Sequence, residues 1–250
     1  MIIIPDVHGR DFWRKPVEES LGKEPILFLG DYLDPYPGEG IAPWDVLPGF
    51  EDIIEVKRSH PDSVALLLGN HDLHYLPGVT SGGRKSIENA DTVRRLILDN
   101  ADLFQMAHVT EAGGKRFLFT HAGLLYGWLV AHRDVIGTLD GAEASARLNA
   151  MWADPEERPT LFRALNDIPY SRWGRYLYGS PVWNDVEDMD DSYEELSEIY
   201  QIFGHTQQEF GPVICEHFAC LDCRRAFRLS EDGSIYQVDI SPRKDHNDKK

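Results

Sequence analysis

Ile26-Leu27-Phe28-Leu29-Gly30-Asp31-Tyr32-Leu33-Asp34 decides the fold. A short apolar run without polar alternation stops abruptly at Gly-Asp. Such a run suits a strand covered on both faces of a sheet. The same pattern recurs along the chain. Met1-Ile2-Ile3-Ile4 stops at Pro5-Asp6-Val7-His8, and residues 64–68 stop at Gly69-Asn70-His71-Asp72. Residues 117–119 stop at Thr120-His121, and Ile202-Phe203 runs into Gly204-His205-Thr206. Helical stretches fall between them at residues 12–20, 50–60 and 90–101. The last carries Val93, Leu96 and Ile97 in a stripe of helical period. Strands alternating with helices predict an α/β fold.

Working outward, Glu111-Ala112-Gly113-Gly114 reads as a hairpin turn between strands at 104–109 and 116–120. Residues 127–172 read as a mainly helical insertion, broken by Pro155 and Pro159, within a single domain spanning 1–240. Strands are expected at 213–223, 226–229 and 234–240, followed by a polar, flexible tail at 241–250.

The 250 residues carry 25 Lys and Arg against 42 Asp and Glu, a formal charge of −17. That surface repels phosphate backbones and anionic lipid, so neither extended nucleic acid nor a membrane is an expected partner. No run approaches the roughly 20 apolar residues of a membrane span. The start lacks a basic leader, and three cysteines cannot staple a core of this size. The expected location is cytoplasmic.

The chemistry lies where the apolar runs end, because α/β sheets assemble their sites beyond the carboxyl ends of the strands. Asp, His and Asn together form a nitrogen and oxygen donor set suited to Mn, Fe, Zn or Mg. Singly, each motif has a bland explanation: a strand-end Asp caps a helix, Gly-Asn makes a turn, a lone His packs in a loop. Five such tips in one chain make coincidence the poorer explanation.

Asp6-x-His8, Gly30-Asp31-x-x-Asp34, Gly69-Asn70-His71-Asp72, His121 and Gly204-His205 together resemble the calcineurin-like metallophosphoesterases. The resemblance implies a four-layer sandwich, two packed β-sheets flanked by helices, holding two divalent metal ions. Manganese is favoured over Fe, Zn or Mg. Asp6 and His8 would hold the first metal, Asp31 would bridge both, and Asn70, His121 and His205 would complete the second. Two adjacent dications lower the pKa of a bound water and polarise phosphoryl oxygens. His71 corresponds to the histidine that protonates the leaving group or steadies the phosphoryl charge, and Asp34 to the carboxylate orienting it. The implied activity is hydrolysis of a phosphate monoester or nucleotide polyphosphate. The substrate would be a phosphorylated small molecule, a nucleotide or a phosphoprotein. A phosphodiesterase or nuclease of the same superfamily is the alternative, and a non-catalytic scaffold is disfavoured because every motif residue is present.

The pattern departs from the superfamily in two places. Gln207 stands where many nucleases carry a last histidine, so the first metal would keep three protein ligands, as in the phosphoprotein-phosphatase-like branch. Gly-Asp-Tyr-Leu-Asp and Leu221-Asp222-Cys223 resemble that branch too, and Pro181-Val182-Trp183-Asn184 resembles it faintly. Pro35 replaces that branch's phosphate-binding arginine. Among Arg10, Arg84, Arg172 and Arg175, the favoured substitutes are Arg84 and Arg172, since a guanidinium grips phosphate with two parallel hydrogen bonds.

Other features take structural readings. Cys215, Cys220 and Cys223 fall on opposite faces of a strand and cannot share zinc unless a turn intervenes. The acidic run at 185–198 reads as a solvated loop leading into a helix. His60, His74, His108, His132 and His246 lie outside every motif and default to surface or packing roles.

Overall fold

The computed structural model describes residues 1–192 and 195–238, so the expected tail at 241–250 and the end of the 234–240 run lie outside the described residues. Its strands are β1 (Ile2–Ile4), β2 (Ile26–Phe28), β3 (Val64–Leu67), β4 (Phe104–Gln105), β5 (Ala107–Ala112), β6 (Lys115–Thr120), β7 (Ile199–Phe203), β8 (Val213–Ile214), β9 (Phe218–Cys220), β10 (Phe227–Leu229) and β11 (Ile235–Gln237). One sheet runs β11-β10-β1-β2-β3-β4, and the other runs β5-β6-β7-β9-β8. β1 through β4 pair in parallel, as do β6, β7 and β9, while hairpins close the edges.

Strand periodicity builds the layers. Ile3, Leu27 and Leu67 of the first sheet and Phe117, Phe119 and Ile202 of the second meet in one apolar layer between the sheets. Their neighbours Ile2, Ile4, Phe28 and Leu66 turn the other way, toward Val17 of α1 (Arg14–Ser20) and Phe50 and Ile53 of α2 (Val46–Ser59). On the second sheet Leu118 and Phe203 turn outward with Ala144 and Leu148 of α7 (Gly141–Ala153). Helix, sheet, sheet, helix is the four-layer sandwich. Each fully buried Leu, Ile or Phe in it contributes about 1.5–3 kcal/mol.

α3 (Asn70–Leu73) and α4 (Ala90–Asp99) follow β3, and α5 (Tyr126–Ala131), α6 (Arg133–Ile136), α7 and α8 (Arg158–Leu165) occupy the segment read as helical. Asp140 caps α7 by accepting from the amides of Ala142 and Glu143, both at 2.9 Å. Pro159 sits in the first turn of α8, where its missing N–H removes no helical bond.

Three expectations need correcting. Residues 104–109 are not one strand: the chain leaves the first sheet after Gln105 and enters the second at Ala107. Asn149 makes the crossing possible, accepting from the amides of Met106 and Ala107 at 2.8 and 3.0 Å and donating to the Ala107 carbonyl. Residues 213–223 likewise split into β8 and β9 around a turn at 215–217. The acidic run is more than a solvated loop: among its described residues Val186–Ser192 form a 3₁₀ helix, and Met189 buries itself there against the core.

Candidate active site

The strand ends converge. Asp6 and His8 follow β1, Asp31 and Asp34 follow β2, Asn70 and His71 open α3 after β3, His121 follows β6, and His205 follows β7. All eight side chains are buried. The local backbone is strained to aim them: His8, Asp31, Asp34 and His205 have φ of 46°, 52°, 58° and 65°. Non-glycine residues in this left-handed region cost about 1–3 kcal/mol each. Asp72 helps hold the strained loop, its carboxylate accepting from the amides of Asp31 (2.7 Å), Tyr32 (3.0 Å) and Gly69 (2.9 Å). Two glycines admit the carboxylates, because a Cβ on Gly69 would collide with Asp31 and one on Gly204 with Asp6.

Two groups of metal-ligating side chains share one carboxylate. Asp6, His8 and Asp31 form the first and Asp31, His121 and His205 the second, with ligand atoms in each within 4.8 Å of one another. Asp31 accepts from the His71 amide through Oδ1 (2.8 Å), and its Oδ2 lies 3.5 Å from Nε2 of both His8 and His121. His8 donates from Nδ1 to the Leu33 carbonyl (2.6 Å) and His121 from Nδ1 to the Leu29 carbonyl (2.9 Å), which turns Nε2 of each inward. Nε2 of His121 also faces Oδ1 of Asn70 at 3.0 Å and Nδ1 of His205 at 3.2 Å. Acceptors from Asp31, Asn70 and His205 thus crowd one nitrogen, which a proton satisfies in the metal-free pocket and a cation satisfies in its place.

The electrostatics agree. Burial, then the charge of Arg172, pushes the His205 imidazole well below its usual value, and burial pushes His8 down to about 3. Both are neutral, the form a metal requires. Burial, with Asp31 beside it, raises the Asp6 carboxyl to about 7. Burial also opposes a charge on His121, yet Asp31 and Asp6 outweigh it and raise that imidazole to about 10. A pocket holding protons this firmly has excess negative charge, and its oxygen and nitrogen donors suit hard or borderline divalent ions.

Beside this cluster stands a second constellation. Nδ1 of His71 donates to Oδ2 of Asp34 at 2.8 Å, and Nε2 of His74 lies 2.7 Å from the same oxygen. The Tyr75 hydroxyl donates to Oδ1 of Asp34. Burial opposes the Asp34 charge, but hydrogen bonds from His71, His74 and Tyr75 hold its carboxyl near about 2. Arg84 donates from Nη2 to Nε2 of His71 at 3.0 Å and from Nη1 to the Asp34 carbonyl at 2.6 Å, with its guanidinium 3.6 Å from the centre of the Tyr36 ring. Sequence reasoning gave His74 a packing role and passed over Tyr75. The spacing His71-x-x-His74-Tyr75, one turn of helix, was the available signal.

The remaining candidates divide. Arg172 donates to Oγ1 of Thr206 at 2.7 Å and pairs with Asp185 at 2.7 Å, bringing positive charge near His205. Arg10 forks onto Glu39 and reaches the Asp6 carbonyl at 3.4 Å. Arg175 is exposed, outside this network. Gln207, with its amide oxygen toward Arg224, accepts from Nε at 3.0 Å and Nη2 at 2.6 Å. Asp222, buried beside Asp6 with an unpartnered Oδ2, is another carboxylate, one to which the motif reading gave no role. A turn does separate Cys215 from Cys220, but Cys215 is exposed, Cys220 is buried, and no cysteine joins a metal-ligating group among the described residues.

Known proteins share this architecture. A yeast (Saccharomyces cerevisiae) protein serine/threonine phosphatase with similarity to human phosphatase PP5 superposes with a TM-score of 0.50 at 14% identity, covering 88% of this chain and 65% of that one. A symmetrical bis(5'-nucleosyl)-tetraphosphatase from Paracidovorax citrulli is 31% identical over 179 residues. That match takes in 68% of this chain and spans 56% of the length of the curated relative. The family model described as calcineurin-like phosphoesterase matches residues 1–209, a span that contains every strand-end motif. By that match, and by the convergence of those motifs on one buried cluster, the chain belongs to the calcineurin-like phosphoesterases.

Proposed function

We propose that this metal-dependent phosphoesterase hydrolyses a nucleotide polyphosphate or a phosphate monoester. One observation carries the reading: Asp31 is common to two groups of metal-ligating side chains, and the His71–Asp34 pair adjoins them. Asp6, His8, Asp31, Asn70, His121 and His205 hold two divalent ions in the proposal, manganese first among Mn, Fe, Zn and Mg. Bound there, two such ions supply positive charge to phosphoryl oxygens and lower the pKa of a water. The name borne by the Paracidovorax relative supports the nucleotide polyphosphate. A cytoplasmic location belongs to the proposal and is supported by cysteine usage, since three cysteines are too few to staple a core of this size. No helix among the described residues is long and apolar enough to cross a membrane.

The residues divide the work. Asp34 fixes the His71 ring through Nδ1, so a proton given to the departing oxygen leaves from Nε2, which takes that proton from solvent once Arg84 has moved off it. His74 and Tyr75 position Asp34. Arg84, now on Nε2 of His71, presents a guanidinium that exchanges this partner for a phosphoryl oxygen and frees Nε2.

The test follows diadenosine tetraphosphate and a phosphomonoester by phosphorus NMR after chelation, with Mn restored, in wild type and Asp31→Asn. The expected result is Mn-dependent hydrolysis in wild type, with loss of both metals and of activity in Asp31→Asn. Hydrolysis indifferent to chelation overturns the proposal.

A further inference from the structure

Asp34 and Arg84 also line a cavity of about 370 Å³ whose lining includes none of Asp6, His8, Asp31, Asn70, His121 and His205. Its walls include Pro35, Tyr36 and Ile41 from the loop at residues 35–41, together with Asn89. Its floor is the core itself, since Leu33, Val46 and Val93 line it and are almost completely buried. We propose that this cavity is a nucleoside subsite, taking the base of the leaving nucleotide; the proposal rests on the phosphoesterase reading above and names its substrate class.

Four observations converge. First, the cavity is continuous with the chemistry: Asp34 and Arg84 belong to its lining, and Arg84 also touches Nε2 of His71. Whatever fills it is therefore attached on the leaving-group side. Second, the buried residues Leu33, Val46 and Val93 back it, a lining suited to a terminal group seated against the core. Third, its size falls at the lower end of the roughly 300–1,000 Å³ of small-molecule sites. A nucleoside uses that space, whereas a phenyl ring leaves most of it open. Fourth, its lining joins flat and apolar surface to a few polar groups. The Arg84 guanidinium plane already stacks on Tyr36 at 3.6 Å, and bases stack on such planes. Asn89, anchored by its Nδ2 on the Pro43 carbonyl at 2.6 Å, offers an amide of the kind that reads base edges.

The loop forming the wall is built to stay in place. Glu39 is held by Arg10 at 3.0 Å and by Arg224 at 3.1 Å, which fastens the loop to the segments after β1 and β9. Gly38 and Gly40 take φ of 90° and 74°, allowing the sharp course between those anchors.

The experiment titrates adenosine, with no phosphate attached, into the full chain by saturation-transfer NMR and calorimetry, beside phenol as the ring control. Wild type, Ile41→Trp, which fills the cavity, and Asn89→Ala, which removes the polar edge, are compared after circular dichroism shows each folded. Adenosine is expected to bind wild type better than phenol and to weaken about tenfold in Ile41→Trp. Asn89→Ala supplies the same readout, a weakened adenosine signal, should Ile41→Trp not fold. The ratio of kcat/KM for diadenosine tetraphosphate to that for inorganic tripolyphosphate is expected to fall in the same variants. Adenosine binding no tighter than phenol, or unchanged in both variants, overturns the subsite. Adenosine binding without hydrolysis of any phosphate compound overturns the phosphoesterase reading and leaves the subsite standing.

Discussion

Arg84 donates from Nη2 to Nε2 of His71 at 3.0 Å, so a guanidinium reaches the His71–Asp34 pair from a loop other than the one that carries Pro35. Its second hydrogen bond, to the Asp34 carbonyl at 2.6 Å, and its stacking on Tyr36 set the plane of the fork. A lysine keeps the charge and loses both the fork and the stacking. Arg84→Lys is therefore expected to lower kcat on a phosphomonoester about tenfold or more with metal content intact. Kinetics identical to wild type would reduce Arg84 to a strut for its own loop.

Gln207 tests the ligand set from the opposite side. Its amide oxygen lies against the Arg224 guanidinium rather than among the lone pairs around Asp31. Gln207→Ala should leave bound metal at the wild-type amount by elemental analysis. A large drop would make Gln207 a ligand and return the first metal to four protein donors.

Much of this was legible in sequence, for a physical reason. A strand buried on both faces must be apolar at every position, so its end is marked by the first polar residue, and the site gathers there. Ile26–Phe28 closing on Asp31 shows it. The sheet switch at Met106 was not legible, because Asn149, the residue that satisfies its amides, lies 43 positions away. The left-handed backbone at His8, Asp31, Asp34 and His205 was equally hidden, since Asp and His tolerate positive φ better than most residues but do not require it. Asp72 fits a helix N-terminus in sequence, yet it staples two loops across 41 positions. His74 was missed because a histidine one turn from a motif looks like any buried imidazole until Asp34, 40 residues earlier, is found against it.

Away from the site, Glu24 and Arg228 tie the segment before β2 to β10 through two hydrogen bonds of 2.6 and 3.0 Å. Burial alone would raise the Glu24 carboxyl, but Arg228 and the Met1 ammonium outweigh it and lower the pKa. A carboxyl lowered on folding adds stability that is complete above its unfolded pKa of about 4.3 and fades as pH falls through the folded value. Wild type should exceed Glu24→Gln by about 1 kcal/mol at neutral pH. Urea melts should show that gap closing below about pH 4. A gap that persists in acid would assign it to packing instead of charge.

The last prediction separates His71 from the metal ligands. His71 sits on Asp34, not among the Asp31 groups, so His71→Asn should keep the fold and the bound metal. If Nε2 gives its proton to the departing oxygen, its worth depends on how badly that oxygen needs one. A nitrophenolate leaves readily without a proton, whereas a sugar or serine alkoxide is a poor leaving group. General acid catalysis typically supplies about 10²–10⁴-fold, so the alkyl ester should show that loss and the nitrophenyl ester a much smaller one. The residual rate on the nitrophenyl ester then belongs to the metal site. The measurement is kcat on both esters for wild type and His71→Asn, with metal content determined on the same samples. Equal losses on the two esters would mean that His71 steadies charge on the phosphoryl oxygens rather than donating a proton. Metal lost along with activity would instead bring His71 into the ligand set, and the division of labour around Asp34 would have to be redrawn.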